Sequence, residues 1–203
     1  MKIRIFVFDG ADEFDFVAPL EVFRRAAKVI SGLDVALVTL DAPRLITAQH
    51  GLRVHPDEEF DGSAGLAIVP GGGYLDHAAH GVRRQIAQGM LPRVIRELHE
   101  SGTIVAGVCT GAMILSAAGI LHGRPATTHY SALDDLRATS AEVIMHRVVD
   151  DGDILTCGGV TSSIDLAFWL VKRLWGAEAA AQIADNMEYT FSADVYTPEQ
   201  AEG

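Results

Sequence analysis

The chain has 203 residues, 49% of them hydrophobic and 21% charged, and its 16 basic and 27 acidic side chains leave a formal charge of −11. That length supports one domain with a real core, and the apolar fraction excludes a disordered acidic tail. The acidity argues against nucleic acid, whose phosphates need a basic face, and two cysteines make no disulfide framework, so a reducing, cytoplasmic setting is expected.

Lys2 to Phe8 reads as a strand ended by Asp9-Gly10, its apolar run too short for a signal peptide. From Phe16 to Ile30, Val17, Leu20, Val22, Phe23 and Ala27 recur at helical spacing until Ser31-Gly32 stops them. Asp34 to Leu40 is strand-like, Arg44 to Val54 alternates like a small hairpin around Gln49-His50-Gly51, and Leu66 to Val69 is a short apolar run before Pro70-Gly71-Gly72-Gly73. A helix is predicted from Val82 or Arg83 to Glu100, kinked or split at Pro92.

Ser101 to Leu121 carries no charge and is long enough to raise the question of a membrane span. Its glycines, its β-branched beginning and its Ala/Leu-rich end fit a buried strand turning sharply into a buried helix, so no membrane segment is expected. His122 to His129 reads as a polar loop. Glu142 to Met145, Arg147 to Val149 and Ile154 to Thr156 read as short strands, and Ser162 to Trp175 and Ala177 to Met187 as helices broken at Gly176. Strands alternating with helices predict a mainly parallel sheet covered on both faces, in one domain of residues 1–190 followed by a loose polar tail, 191–203.

The chemistry centres on Cys109. Gly107-Val108-Cys109-Thr110-Gly111 places small residues two positions to either side of a nucleophile, between a buried strand and a helix. This is the nucleophile-elbow pattern with Cys in place of Ser, at the carboxyl end of the sheet where such folds bind ligands. The helix N-terminus is expected to lower the thiol pKa, although a small buried cysteine is the plain structural alternative. Cys157, before Gly158-Gly159, has no activating neighbour and is read as core. Pro70-Gly71-Gly72-Gly73 offers backbone N–H groups for an oxyanion, or simply a turn needing positive φ; no Gly-Lys-Ser/Thr follows, so it is not a phosphate loop.

Asp12-Glu13-Phe14-Asp15-Phe16 puts three carboxylates in the loop after the first strand. Two are expected to be solvated or to face a helix N-terminus, and one between the phenylalanines to be partly buried with a raised pKa; residue type alone leaves open which acts in proton transfer. His77 and His80 are spaced to share a metal with Asp76, but no further ligand follows at a sensible distance, so no metal is expected. His129, in the loop after the elbow helix, either reaches towards Cys109 or is an ordinary loop histidine.

Taken together and in order, Gly10-x-x-x-x-Asp15-x-x-x-Pro19, Pro70-Gly71-Gly72, Val108-Cys109-Thr110-Gly111-Ala112 and Ala126-Thr127-Thr128-His129 resemble the DJ-1/PfpI superfamily, from Lys2 to about Tyr189. Leu121-x-Gly123-Arg124, Gly158-Gly159-Val160-Thr161-x-x-Ile164-Asp165 and Glu188-Tyr189 resemble its isocyanide hydratase branch and the ligand domains of AraC-type regulators. The resemblance implies a flavodoxin-like three-layer sandwich and a cofactor-free site. Cys109 is then the nucleophile, Asp15 its acidic partner, Thr110 a polar neighbour giving a backbone N–H, Gly72 and Gly73 further N–H donors, and His129 a supporting residue. It implies a small-molecule substrate, a homodimer, and hydration of an isocyanide to an N-substituted formamide; the alternative is a pocket that binds or senses oxidation without turnover.

The departures from the family pattern are specific. Thr110 stands where superfamily proteases have His, and Ser131 stands two residues past His129 where amidotransferases have Glu. Asp15 replaces the Glu of DJ-1-like proteins, and Val17-Ala18 precede Pro19 where hydratases have Thr-Gly. The helix-turn-helix of the regulators would need a basic segment, and none follows here.

Overall fold

Three largely buried strands set the centre of the molecule: β1 (Lys2–Phe6), whose Ile3, Ile5 and Phe6 are buried beside a buried Arg4, and the apolar β6 (Leu66–Val69) and β7 (Ile104–Val108). The computed structural model describes residues 1–75 and 79–198. Asp76 and His77, and with them the metal possibility built on His77, lie outside the described residues. In chain order, β1 is followed by helix α1 (Glu13–Val29), β2 (Asp34–Thr39), the hairpin β3 (Ile46–Thr47) and β4 (Arg53–Val54), β5 (Glu58–Glu59) and β6. Then come α2 (Val82–Gln88), α3 (Met90–Glu100), β7, α4 (Gly111–Ala117), β8 (Pro125–Ala126), α5 (Leu133–Arg137), β9 (Glu142–Val143), β10 (Val148–Asp150), β11 (Ile154–Cys157), α6 (Ser162–Trp175), α7 (Ala177–Asn186) and β12 (Val195–Tyr196).

The main sheet runs β12-β10-β11-β7-β6-β1-β2-β5. Pairing is parallel throughout except between β10 and β11. Helices α1, α6 and α7 pack together, as do α2, α3 and α4, making the expected three-layer sandwich. From β1 the chain goes first to β2 on one side and later to β6 on the other, so a crevice opens at the carboxyl ends of these strands. The fully buried Phe6, Phe16, Phe23 and Phe168 anchor the layers, each worth about 1.5–3 kcal/mol of burial.

Several boundaries depart from expectation for local reasons. Helix α1 starts at Glu13, ahead of Phe16, because Asp12 caps it: its carboxylate accepts the Phe14 N–H at 3.0 Å. Asp15 therefore sits in a helical first turn and not in a loop. The break between α2 and α3 falls at Gly89, left-handed at φ 71°, while Pro92 lies in the first turn of α3, where no intrahelical N–H is needed. The 122–129 loop contains β8, paired with β9. The tail is partly ordered: β12 pairs with β10, Phe191 stacks on Phe168, and Asp194 accepts from the Arg147 N–H and binds the His146 ring.

Gly111 has no room for a methyl group, since a Cβ there would run into the Val69 carbonyl oxygen. Gly111→Ala is expected to cost about 3 kcal/mol or more, seen as a lower urea midpoint. Gly119→Ala, where a Cβ meets nothing within 4 Å but φ is 80°, is expected to cost only about 1 kcal/mol.

Candidate active site

The turn after β7 places Cys109 at φ 53°, a left-handed conformation that costs a non-glycine residue about 1 kcal/mol or more. Hydrogen bonds on both sides hold it: the Cys109 N–H donates to the Gly158 carbonyl at 3.2 Å, and the Thr128 hydroxyl donates to the Cys109 carbonyl at 2.9 Å. Small residues flank the turn because Gly107 lies against Ala112 and Gly111 against β6. The sequence pattern of an elbow is thus an elbow in space, with the thiol lifted to the carboxyl edge of the sheet.

Asp15 comes to it from the neighbouring strand-to-helix connection. Its side chain is fully buried; Oδ2 accepts the Gly71 N–H at 3.0 Å, Oδ1 has no hydrogen-bond partner, and the Cys109 thiol is close enough to favour the carboxylate. Gly71 must lack a side chain, because a Cβ would stand 2.6 Å from the Thr110 nitrogen and 2.9 Å from Asp15 Oδ2. Pro19, inside α1, has no N–H for the Asp15 carbonyl one turn earlier, so the helix ladder is open there.

Burial raises the Asp15 pKa well above the ordinary carboxylate value, and the Asp12 charge adds to this; the Gly71 N–H and Cys109 work in the opposite direction. The thiol is also pushed up, by burial and then by Asp15, against backbone N–H groups of Val160 and Thr110 that favour the thiolate. The expected lowering by the helix N-terminus is therefore reversed: α4 has only seven residues, and its dipole is outweighed by desolvation and a neighbouring carboxylate. Removing both protons would place two negative charges side by side in a dry site, so the pair keeps one proton that either oxygen or sulfur carries. Cys157 is fully buried with its thiol likewise pushed up by burial, as a core residue should be.

A cavity of about 180 Å³ opens over the thiol, lined among others by Asp12, Gln49, Gly73, Tyr74, Thr110 and His129. A larger one, about 630 Å³, lies at the ends of β1 and β2 and touches neither Cys109 nor Asp15. The free donors expected at Gly72 and Gly73 are not free: the Gly72 N–H donates to Thr110 Oγ1 at 3.0 Å and the Gly73 N–H to Gln49 Oε1 at 2.9 Å. Thr110 thus acts through its own N–H near the sulfur and through its hydroxyl on the glycine loop. His129 lines the cavity, but its Nδ1 bonds the Ser131 hydroxyl and burial lowers its pKa, leaving a neutral ring with no hydrogen bond to Cys109 among the described residues.

Two residues of the site escaped sequence reading. Val160, at φ 41°, has an N–H near enough to the thiol to favour its charged form, from a conformation that nothing about a β-branched residue announces; only its position after Gly158-Gly159 hints at a turn. Gln49 belongs to a hairpin turn and looks like surface until β3 and β4 fold over the glycine loop. Asp12, Glu13 and His50 bring one metal-type donor atom each within 4.8 Å. Those carboxylates serve local structure, however: Asp12 caps α1 and Glu13 Oε1 accepts the N–H groups of His50 and Leu52 at 2.7 and 3.1 Å. Among the described residues no helix is long and apolar enough to cross a membrane.

Comparison with known proteins follows this geometry. The model of the DJ-1/PfpI family matches residues 1–173. An isonitrile hydratase from Pseudomonas putida is 31% identical over 191 residues, covering 93% of this chain and 78% of that protein. An HTH-type transcriptional regulator of Pseudomonas aeruginosa is 32% identical over 94 residues, 45% of this chain and 28% of the regulator. The crystal structure of a ThiJ/PfpI family protein from Pseudomonas syringae superposes with a TM-score of 0.83 at 25% identity, over 94% of this chain and 76% of that one.

The buried carboxyl has a consequence for stability. Native Asp15 keeps its proton to higher pH than the unfolded chain does, so its contribution is fully present below about pH 4 and is lost as pH rises through the native pKa. Asp15→Asn, which does not titrate, is expected to melt at or above the wild-type temperature near neutral pH, with the difference shrinking in acid. Thermal melts across this range check it; an advantage that grows in acid would contradict the raised pKa.

Proposed function

The chain belongs to the DJ-1/PfpI family, and from that premise we propose that it hydrates a small isonitrile to an N-substituted formamide, with Cys109 as nucleophile and Asp15 as proton carrier. The observation that carries this reading is the buried Asp15–Cys109 pair, with the Thr110 and Val160 N–H groups directed at the sulfur. The likeness to an isonitrile hydratase supplies the substrate class. A cavity of about 180 Å³ is smaller than those that hold drug-sized molecules and suits a compact, largely uncharged substrate.

In the productive state the proton of the pair rests on Asp15 and the charge on sulfur, where the two N–H groups meet it. The thiolate attacks the terminal isonitrile carbon; a C–S bond forms, and the Asp15 proton passes to that same carbon, giving a thioimidate. Asp15, now a carboxylate, takes one proton from a water whose oxygen adds to the carbon. The C–S bond then breaks as the carbonyl forms, the second water proton ends on nitrogen, and the thiolate leaves. Water and isonitrile are consumed in equal numbers and no redox partner is needed. Peptide cleavage is not supported, since Thr110 follows the cysteine and the neutral His129 is turned to Ser131.

A second reading, ligand binding without turnover, is favoured by one observation: the Gly72 and Gly73 donors are occupied by Thr110 and Gln49. The similarity to a transcriptional regulator is in keeping with it. Formamide production separates the two. Wild type is expected to release N-substituted formamide from small isonitriles, Cys109→Ala to release none, and Asp15→Asn to fall by about a hundredfold or more. Saturable isonitrile binding with no product from wild type would establish the second reading, and turnover by Cys109→Ala would end the first.

A further inference from the structure

Behind the thiol, two carbonyl groups converge on one hydroxyl. Ser163, fully buried in the first turn of α6, places its Oγ 2.6 Å from the Val160 carbonyl oxygen and 3.2 Å from that of Phe14. Val160 lines the cavity with Cys109, two residues after the Gly158 carbonyl that accepts the Cys109 N–H at 3.2 Å, and its N–H favours the thiolate; Phe14 directly precedes Asp15. A serine hydroxyl bonded to the carbonyl three residues back is an ordinary device of a helix start. The reach to Phe14 is not: it spans 149 positions of sequence, and among the described residues it is the one hydrogen bond joining α6 to α1.

The need for such a tie follows from Val160 itself. Its φ of 41° is a conformation a β-branched residue leaves unless its surroundings hold it. The other restraints fix the loop to the elbow, to the residue before β10 and to α6: the Gly158 carbonyl accepts the Cys109 N–H at 3.2 Å, the Gly158 N–H donates to the Arg147 carbonyl at 3.0 Å, the Ser163 N–H to the Val160 carbonyl at 3.1 Å, and the Arg147 guanidinium to Thr161 Oγ1 at 3.3 Å. None of these sets the loop relative to the helix that carries Asp15. We propose that Ser163 is a positioning residue that, by sharing its one O–H proton between the Val160 carbonyl and, more weakly, the Phe14 carbonyl, holds the Val160 loop and the Asp15 carboxyl in register about the Cys109 sulfur. This rests on Cys109 being the reactive thiol, as proposed above, and is independent of the substrate.

Without the hydroxyl, α1 and the loop lose their common reference, and the donor and the acid no longer meet the sulfur together. Displacements of that kind are small in energy but large in rate. The ionisable groups facing the sulfur are Asp15 from α1, Asp12 from its cap and Cys157 from β11, with His129 and Tyr74 lining the cavity; Ser163 replacement adds and removes no charge among them, so a shifted profile reports their placement.

The test is the pH profile of Cys109 alkylation by iodoacetamide, followed by intact mass with Cys109→Ala as blank, in wild type, Ser163→Ala and Ser163→Thr. The expected result is a Ser163→Ala protein that is folded by circular dichroism, is alkylated about tenfold more slowly near neutral pH with its midpoint moved upward, and is restored towards wild type by threonine. A folded Ser163→Ala with the wild-type profile would overturn the assignment. Should alanine prevent folding, Ser163→Cys, of similar shape but a weaker donor, carries the same test with the same two outcomes, alkylation being read at Cys109 by peptide mapping so that the new thiol is not counted. The alkylation profile reads the thiol directly, so wild type that turns over no isonitrile would end the hydratase reading alone.

Discussion

Asp15 has to be buried beside a thiol that must itself give up a proton, and this requirement shapes the surrounding structure. A lone buried carboxylate is costly, and so is a lone buried thiolate. Side by side, burial raises both pKa values and the Asp15 charge raises that of the thiol further, so the site resists carrying both charges at once. The rest of the site serves this arrangement. Gly71 gives up its side chain so that its N–H can reach one carboxylate oxygen, and the strained backbone of Cys109 and Val160 aims the sulfur and one of its donors.

The sheet order brings these pieces together. Strands β1, β6, β7 and β11 lie side by side, and from the connection after each comes one component: the acid, the glycine loop, the thiol and the Val160 loop. Parallel pairing puts all four carboxyl ends at the same edge, so residues separated by most of the chain meet without any long excursion. The dense apolar packing beneath fixes the spacing of the strands, and hence the distances within the site.

Much of this was legible in the sequence. Continuous apolar runs mark buried parallel strands, and glycines two positions either side of Cys109 mark the elbow. Asp15 needs more than residue type; only the resemblance to the DJ-1/PfpI superfamily singles it out from Asp12 and Glu13. What could not be read depends on long-range contact. β5 is two glutamates whose strand character comes only from the neighbouring edge of β2, and β12 exists because β10 offers it a partner. The pKa of the thiol went the other way from expectation because a dipole can be read from helix position, whereas desolvation cannot be read until the fold is closed. Gln49 and Val160 enter the site through backbone geometry that their side-chain chemistry does not encode.

The glycine loop, finally, is a wall built of main chain. Side chains added at Gly71 or Gly72 would collide with backbone atoms of Thr110 or of the Gly10–Asp12 turn, so that side of the cavity has almost no vocabulary for change. The lining also includes the side chains of Gln49, Tyr74, Leu75 and Val160, of which Gln49 holds the Gly73 N–H. A main-chain wall of this kind keeps its shape whatever side chains face it, so the width and polarity of the cavity can be altered only through those facing side chains.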